Sequence, residues 1–404
     1  MSGATEDAWF DTPEEDARLE AVAAVGVLGT PPEERFDRIT RLAQELLQAP
    51  MSYLNMVDRD SLVVKSPQPE PGPAPRYPYG TAFCEYTVHG EGLFEVPDAR
   101  HDPRFRETPA VTHFGVGSYA GVPLRVPGGL AVGTLCVMHP EARSLSAEER
   151  SRLEALGRWA EGELREGLEE PVDAAGAASR AHELPSVHAG SVDATALALP
   201  FGEVSGDLYG WSGDDDAIVA TLGDVMGKGP RAGAVAEALR SALHSGTADT
   251  DGGAAESPGE ALRRVARELA PRLDELGAFV TLFHARIDTR TGVVEFADAG
   301  HGLTLHLSQA GTTTRLASHD MPLGLHDEAQ GWAVQRVQLE RGDILLSVTD
   351  GMLDAYDSTL ASLDRIAEEL RAQPAVPAFL DTMTARIAIA RVDDDVTILA
   401  ITFG

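Results

Sequence analysis

Apolar positions along the chain alternate between helical and strand-like spacing. Leu19, Val22 and Val25, then Phe36, Ile39, Leu42 and Leu46, recur at helical spacing. They predict two amphipathic helices broken at Thr30-Pro31-Pro32. Short strand-like runs follow at 51–57, 62–65, 94–96, 117–126 and 129–137. The proline-rich stretch Gln68 to Pro75 between them suits neither a helix nor an inner strand and reads as a surface loop. Ser146-Ala-Glu-Glu149 has the capping-box pattern. It opens a helix whose apolar stripe is Leu153, Leu156, Ala160, Leu164 and Leu168. That stripe suits packing on its own domain, a homodimer seam or an interdomain lever.

From Pro171 to about Gly190 large apolar residues thin out and Ala, Gly, Ser and Pro dominate, as in a linker. Strand-like runs then resume at 195–199, 217–222, 279–287, 293–297, 303–307, 344–348 and 396–403. Helical stretches at 231–244, 258–276, 360–371 and 376–389 interrupt them, and the glycine-rich 246–259 reads as a loop. Strands, two helices, then strands again predict a layered α+β domain. The expected organisation is a first domain over 17–168, a linker over 169–190 and a second domain over 191–404.

Composition narrows the partners. The net charge is −31, from 33 basic and 64 acidic residues, which argues against a nucleic-acid backbone or an anionic membrane. No apolar run approaches the ~18 residues of a membrane span. The acidic start MSGATEDAWFDTPEED lacks the basic-then-apolar order of a secretory signal, so the expected compartment is the cytoplasm. The two cysteines, Cys84 and Cys136, read as buried packing residues.

The candidate chemistry is four aspartates, each near a meeting of strand and turn. Asp207 lies in Glu203-Val-Ser-Gly-Asp-Leu-Tyr209, and Asp224 precedes Val225-Met-Gly-Lys-Gly229. Asp350 lies between an apolar run and Gly351, and Asp394 stands before Asp395-Val-Thr-Ile. Singly, each is an ordinary turn residue. Converging at buried strand ends they would repel unless a cation neutralised them, and oxygen-only ligands suit Mg²⁺ or Mn²⁺. Strand register does not choose among Asp393, Asp394 and Asp395.

Those two segments, with Ala299-Gly-His-Gly, Thr349-Asp-Gly-Met and Asp394-Asp-Val-Thr, stand in the order of the type 2C metal-dependent (PPM) phosphatases. The resemblance, over 190–404, is to the bacterial SpoIIE-like branch. It implies an αββα sandwich and hydrolysis of phosphoserine or phosphothreonine by a water activated between two divalent cations. It also implies Asp224 as the carboxylate shared by both metals, the Val225 carbonyl as a further ligand, Asp350 and Asp394 on one metal and Asp207 near the other. Asp224, Asp350 and Asp394 are thereby the catalytic set. By the same analogy the substrate is an anti-sigma-factor antagonist. His301 reads as a structural turn histidine or as a general acid, and Lys228 as a surface lysine or a phosphate contact. Where the family often carries a second acid, this chain has Gly210. The rival function is a non-catalytic phosphoprotein-binding scaffold.

Residues 17–168 resemble a GAF sensory domain. The resemblance rests on Leu28-Gly-Thr-Pro-Pro-Glu-Glu-Arg-Phe, Val96-Pro-Asp-Ala-Arg-His-Asp-Pro-Arg-Phe, Tyr119-Ala-Gly-Val-Pro-Leu and Gly133-Thr-Leu-Cys-Val. It implies an antiparallel sheet with flanking helices and control of the phosphatase, with the ligand left open.

Overall fold

The computed structural model describes residues 12–68, 76–79, 83–166, 168, 185–244, 256–325, 331–390, 392 and 394–404. The expected proline-rich loop, most of the linker and glycine-rich loop, and Asp393 lie outside them. Contacts divide the chain into two compact units, Met1–Glu169 and Glu170–Gly404.

The first unit runs α1 (Pro13–Ala24), α2 (Glu34–Leu46), β1 (Met51–Val57), β2 (Ser61–Gln68), β3 (Arg76–Pro78), α3 (Cys84–Val88), β4 (Phe94–Val96), α4 (Pro109–Thr112), β5 (Ser118–Arg125), β6 (Ala131–His139) and α5 (Ala147–Glu166). Its antiparallel sheet has the order β3-β2-β1-β6-β5-β4. The capping box forms at α5: the Glu149 amide donates to Ser146 Oγ at 3.1 Å, and the Ser146 amide donates to Glu149 Oε2 at 2.7 Å. Leu153, Leu156, Ala160 and Leu164 are buried within the unit, so the stripe of α5 is core. Arg38 on α2 pairs with Glu163 on α5 at 2.7 Å, and Trp159 Nε1 donates to the same Glu163 oxygen at 2.8 Å. Around α3 and the sheet lies a second core of Phe83, Phe105, Tyr119 and Val96, with Tyr86 and Phe94 packed against it.

The second unit runs β7 (Ser186–Ala189), β8 (Val192–Leu199), β9 (Asp207–Gly213), β10 (Ala217–Val225), α6 (Pro230–His244), α7 (Pro258–Leu276), β11 (Val280–Asp288), β12 (Val293–Ala299), β13 (Thr304–Leu307), β14 (Thr313–Leu316), β15 (Gln335–Gln338), β16 (Ile344–Val348), α8 (Gly351–Asp354), α9 (Ala361–Ala372), α10 (Val376–Ala390) and β17 (Val396–Phe403). Two sheets form, ordered β15-β12-β11-β10-β9 and β14-β13-β16-β17-β8-β7. Ala220, Leu222, Phe283 and Phe296 of the first interleave with Ala194, Leu345, Leu399 and Ile401 of the second. On the outer face of the first sheet, Val235, Leu239, Leu262 and Leu269 of α6 and α7 cover Val280 and Leu282. On the other side, Ile366, Leu370, Phe379 and Met383 of α9 and α10 cover Leu305, Leu346 and Ile398. Three cores in four layers make an αββα sandwich.

The boundaries of α6, α7, α9 and α10 fall within a residue of expectation, and at α7 caps mark both ends. Ser257 and Glu260 form a capping box at α7, and Gly277 ends it in the left-handed conformation. The sequence pattern overlooks β7, β9, β14 and β15. These are the four edges of the two sheets, where exposed polar positions replace an apolar run.

Candidate metal centre

Asp207 and Asp224 belong to one sheet, facing each other across the β9–β10 pair. Asp224 therefore lies inside β10, which runs further than the apolar run suggests. Gly223 before it is required by packing: a Cβ there would sit 2.7 Å from the Thr281 carbonyl oxygen. After Val225 the chain turns through Gly227 and Gly229, both at positive φ, and Pro230 opens α6.

Asp350 and Asp394 come from the other sheet. Asp350 follows β16 at the N-cap position of α8, and Asp394 precedes β17, which pairs with β16. Gly351 lets these two turns touch, since a Cβ at 351 would overlap the Asp395 carbonyl oxygen and come within 3.3 Å of Asp394 Cβ.

The two sheet ends meet at Thr349, which sequence reasoning quoted in a motif without giving a role. Its Oγ1 donates to Asp207 Oδ2 at 2.9 Å and accepts the Thr397 amide at 2.8 Å. Burial, and then repulsion from Asp395, push the Asp207 carboxyl well above its ordinary range, against the hydroxyls of Thr397 and Thr349. Burial also pushes Asp394 up to about 7; Lys228 opposes this and the Asp350 charge adds to it. Lys228 Nζ stands 3.4 Å from Asp394 Oδ1 and over the Phe201 ring, so it is engaged at this site rather than simply solvated.

Asp394 and Asp395 separate by their surroundings. Asp395 is buried with both oxygens engaged: Oδ1 accepts the Phe201 amide and Oδ2 the Gly206 amide, each at 2.7 Å. Asp394 faces Lys228 and the Asp350 charge. The Val225 carbonyl oxygen lies 3.1 Å from where a Cβ on Gly206 would stand, as does that of Gly227. The absent side chain thus leaves a small cradle lined by carbonyls beside Asp207.

Among the described residues, no group of three or more His, Cys, Asp or Glu side chains is closed into a metal-binding cluster. The donor chemistry nevertheless fits a hard divalent cation, with carboxylates from two sheets in mutual repulsion and a carbonyl cradle next to one of them.

His301 is buried within the turn 298–302. Its ring bonds to Ser347 Oγ at 3.0 Å, and its amide donates to Asp298 Oδ1 at 2.7 Å. Burial pushes the Asp298 carboxyl to about 6, while the Gly302 amide holds it down. The geometry is that of a turn anchor.

Residues 31–164 match the GAF domain family, and residues 214–404 match the family of stage II sporulation protein E (SpoIIE). The second match includes Asp224, Asp350 and Asp394 and begins after Asp207. Phosphoserine phosphatase RsbU of Bacillus subtilis is 26% identical over 165 residues, covering 41% of this chain and 47% of that protein. Protein IcfG of Synechocystis is 25% identical over 235 residues, covering 51% of this chain and 37% of its own length. A cyclic di-GMP phosphodiesterase of Pseudomonas aeruginosa is 34% identical over 142 residues, covering 33% of this chain and 23% of its own. The chain thus spans between 23% and 47% of the length of these curated relatives. Among solved structures, the RsbU and RsbW domains of a Mycobacterium tuberculosis protein are 26% identical, with a TM-score of 0.44, covering 55% of this chain and 60% of that one. The PstP catalytic domain, crystallised with two manganese ions, is 17% identical with a TM-score of 0.41, covering 52% and 97%. Residues 31–164 are a GAF domain, and residues 214–404 belong to the SpoIIE family of type 2C phosphatases.

Proposed function

We propose that this chain removes phosphate from a phosphoserine or phosphothreonine of a partner protein, with Asp207, Asp224, Asp350, Asp394 and the Val225 carbonyl holding two divalent cations, Mn²⁺ or Mg²⁺. The observation that carries it is the convergence of acidic strand ends from two sheets, tied by the Thr349–Asp207 bond, in a domain of a phosphatase family. Bound cations would supply Lewis acidity to a water and to the phosphoryl oxygens.

The chain's own groups do the rest. Asp395 fixes the turn carrying Asp207 by holding the Gly206 amide, and Thr349 orients the Asp207 carboxylate. Lys228 is a cation beside Asp394, placed to meet a phosphoryl oxygen if it leaves that pair. By likeness to RsbU the substrate is a phosphoserine protein, and by family analogy an anti-sigma-factor antagonist. The GAF domain would set the activity, alone or in a homodimer. The proposed setting is the cytoplasm; among the described residues no helix is long and apolar enough to cross a membrane.

The test is hydrolysis of a chromogenic phosphate ester with Mn²⁺. Asp224→Asn and Asp350→Asn should each abolish turnover, and undiminished activity in either removes the assignment. The scaffold reading draws support from one observation: Asp394 Oδ1 already has Lys228 and the Asp395 amide as partners. Calorimetry with Mn²⁺ separates the two, since a scaffold of this kind would bind none at millimolar concentration.

A further inference from the structure

The two cysteines, 52 positions apart in sequence, meet inside the GAF domain. Cys136 lies on β6 and Cys84 opens α3, which packs on that strand. Both are fully buried, and their thiols are within hydrogen-bonding reach of one another. Asn55, itself 1% exposed, donates its Nδ2 to both sulfurs, at 3.4 Å to Cys84 and 3.5 Å to Cys136. Its Oδ1 has no hydrogen-bond partner among the described residues. A buried amide in the middle of a sheet is costly, and core packing alone does not require one aimed at two thiols.

A second side chain donates to Cys84. The Tyr119 hydroxyl lies 3.7 Å from its sulfur and is held from behind by Thr87 Oγ1 at 2.7 Å. Glycine at 121 admits that hydroxyl, because a Cβ there would overlap it and stand 3.1 Å from Cys136 Cβ.

We propose that Cys84 and Cys136 form a modification site, a dithiol that hydrogen peroxide converts into a reversible intrachain disulfide. Cys84 is the attacking sulfur. The hydrogen bond from Cys136, with those from Tyr119 and Asn55, holds its thiol below the ordinary value against burial. Burial drives Cys136 well above its own.

In the first step the peroxide O–O bond breaks, one oxygen joins Cys84 as a sulfenic acid, and the other leaves as water. In the second the Cys136 sulfur attacks Cys84, the S–S bond forms, the S–O bond breaks and a second water leaves. Two electrons pass from the thiols to the peroxide, and both thiol protons end in the waters. At 0% exposure the sulfurs admit an oxidant of about the size of hydrogen peroxide rather than a bulky disulfide.

Because the chain has two cysteines, the assay is unambiguous. The folded full chain is treated with hydrogen peroxide, alkylated, unfolded and titrated for thiols. The expected result is a fall from two thiols to none, with a mass lower by about 2 Da, a Cys84–Cys136 cross-linked peptide, and full reversal by dithiothreitol. Persistent thiols, a gain in mass from sulfinic or sulfonic acid, or a covalent dimer would each overturn the proposal. In single variants, Cys136→Ser should leave a Cys84 sulfenic acid that dimedone captures, and Cys84→Ser should leave Cys136 unreacted. Equal capture at both would remove Cys84 as the attacking sulfur. The wild-type measurement decides the disulfide even if a variant fails to fold.

Discussion

Gly351→Ala tests how tightly the two sheet ends must meet. The added methyl would overlap a backbone oxygen, that of Asp395, and crowd Asp394 Cβ at 3.3 Å. Neither neighbour is a flexible side-chain tip, so the Asp394–Asp395 segment has to retreat by about 1 Å to relieve the overlap, a misplacement that can cost ~10²-fold in rate. The strain itself, about 1–3 kcal/mol for overpacking, is smaller than the ~5–15 kcal/mol that stabilises an ordinary domain. The variant should therefore fold, melt several degrees lower and hydrolyse phosphate ester about a hundred-fold more slowly across the whole Mn²⁺ titration. The assay is steady-state ester hydrolysis alongside a circular-dichroism melt of the same sample. Turnover within two-fold of wild type in a protein with lowered Tm would refute the reasoning, because it would show that Asp394 can move without consequence.

Three further outcomes follow from the same geometry. Thr349→Val removes both a donor to Asp207 and the acceptor of the buried Thr397 amide, so urea unfolding should lose about 1–3 kcal/mol, and Thr349→Ser should recover most of it. His301→Asn should lower stability while the folded fraction keeps its turnover on a phosphoserine peptide, a poor leaving group; a ~10²-fold loss there would restore a general-acid role. In metal-free protein, Asp394 is raised from 3.8 to about 7, so the folded state holds a proton that the unfolded state has released. Its contribution to stability is therefore lost as pH rises across that interval, and Asp394→Asn should gain on wild type over it in chelator-treated thermal melts; a gap independent of pH would contradict this.

Much of this was legible in the sequence because caps and apolar periods are local signals. α7 is bounded by the Ser257–Glu260 box and Gly277, which any reader of the chain can find. The edge strands were not legible, since a strand solvated on one side, such as Gln335–Gln338, carries no apolar run. At the site, motif order singled out Asp207, Asp224, Asp350 and Asp394, but strand register could not choose among Asp393, Asp394 and Asp395. The distinction of Asp395 from Asp394 depends on two amides nearly 200 positions away in sequence, those of Phe201 and Gly206. The thiol pair was equally hidden, because Asn55, Cys84 and Cys136 share no local pattern and meet only through the sheet and α3.

The grip of Asp395 on those two amides also restricts how the chain could vary. One carboxylate spans the Phe201 and Gly206 amides, with an oxygen for each, so the segment between them must return to within the width of a single functional group. A residue inserted or deleted between 201 and 206 would free one oxygen and swing the start of β9, carrying Asp207 with it. Surface loops commonly tolerate changes of length, but this one has its length fixed by a side chain at the far end of the domain sequence. Length variation among natural or engineered versions of this domain should therefore avoid 201–206 wherever Asp395 is retained.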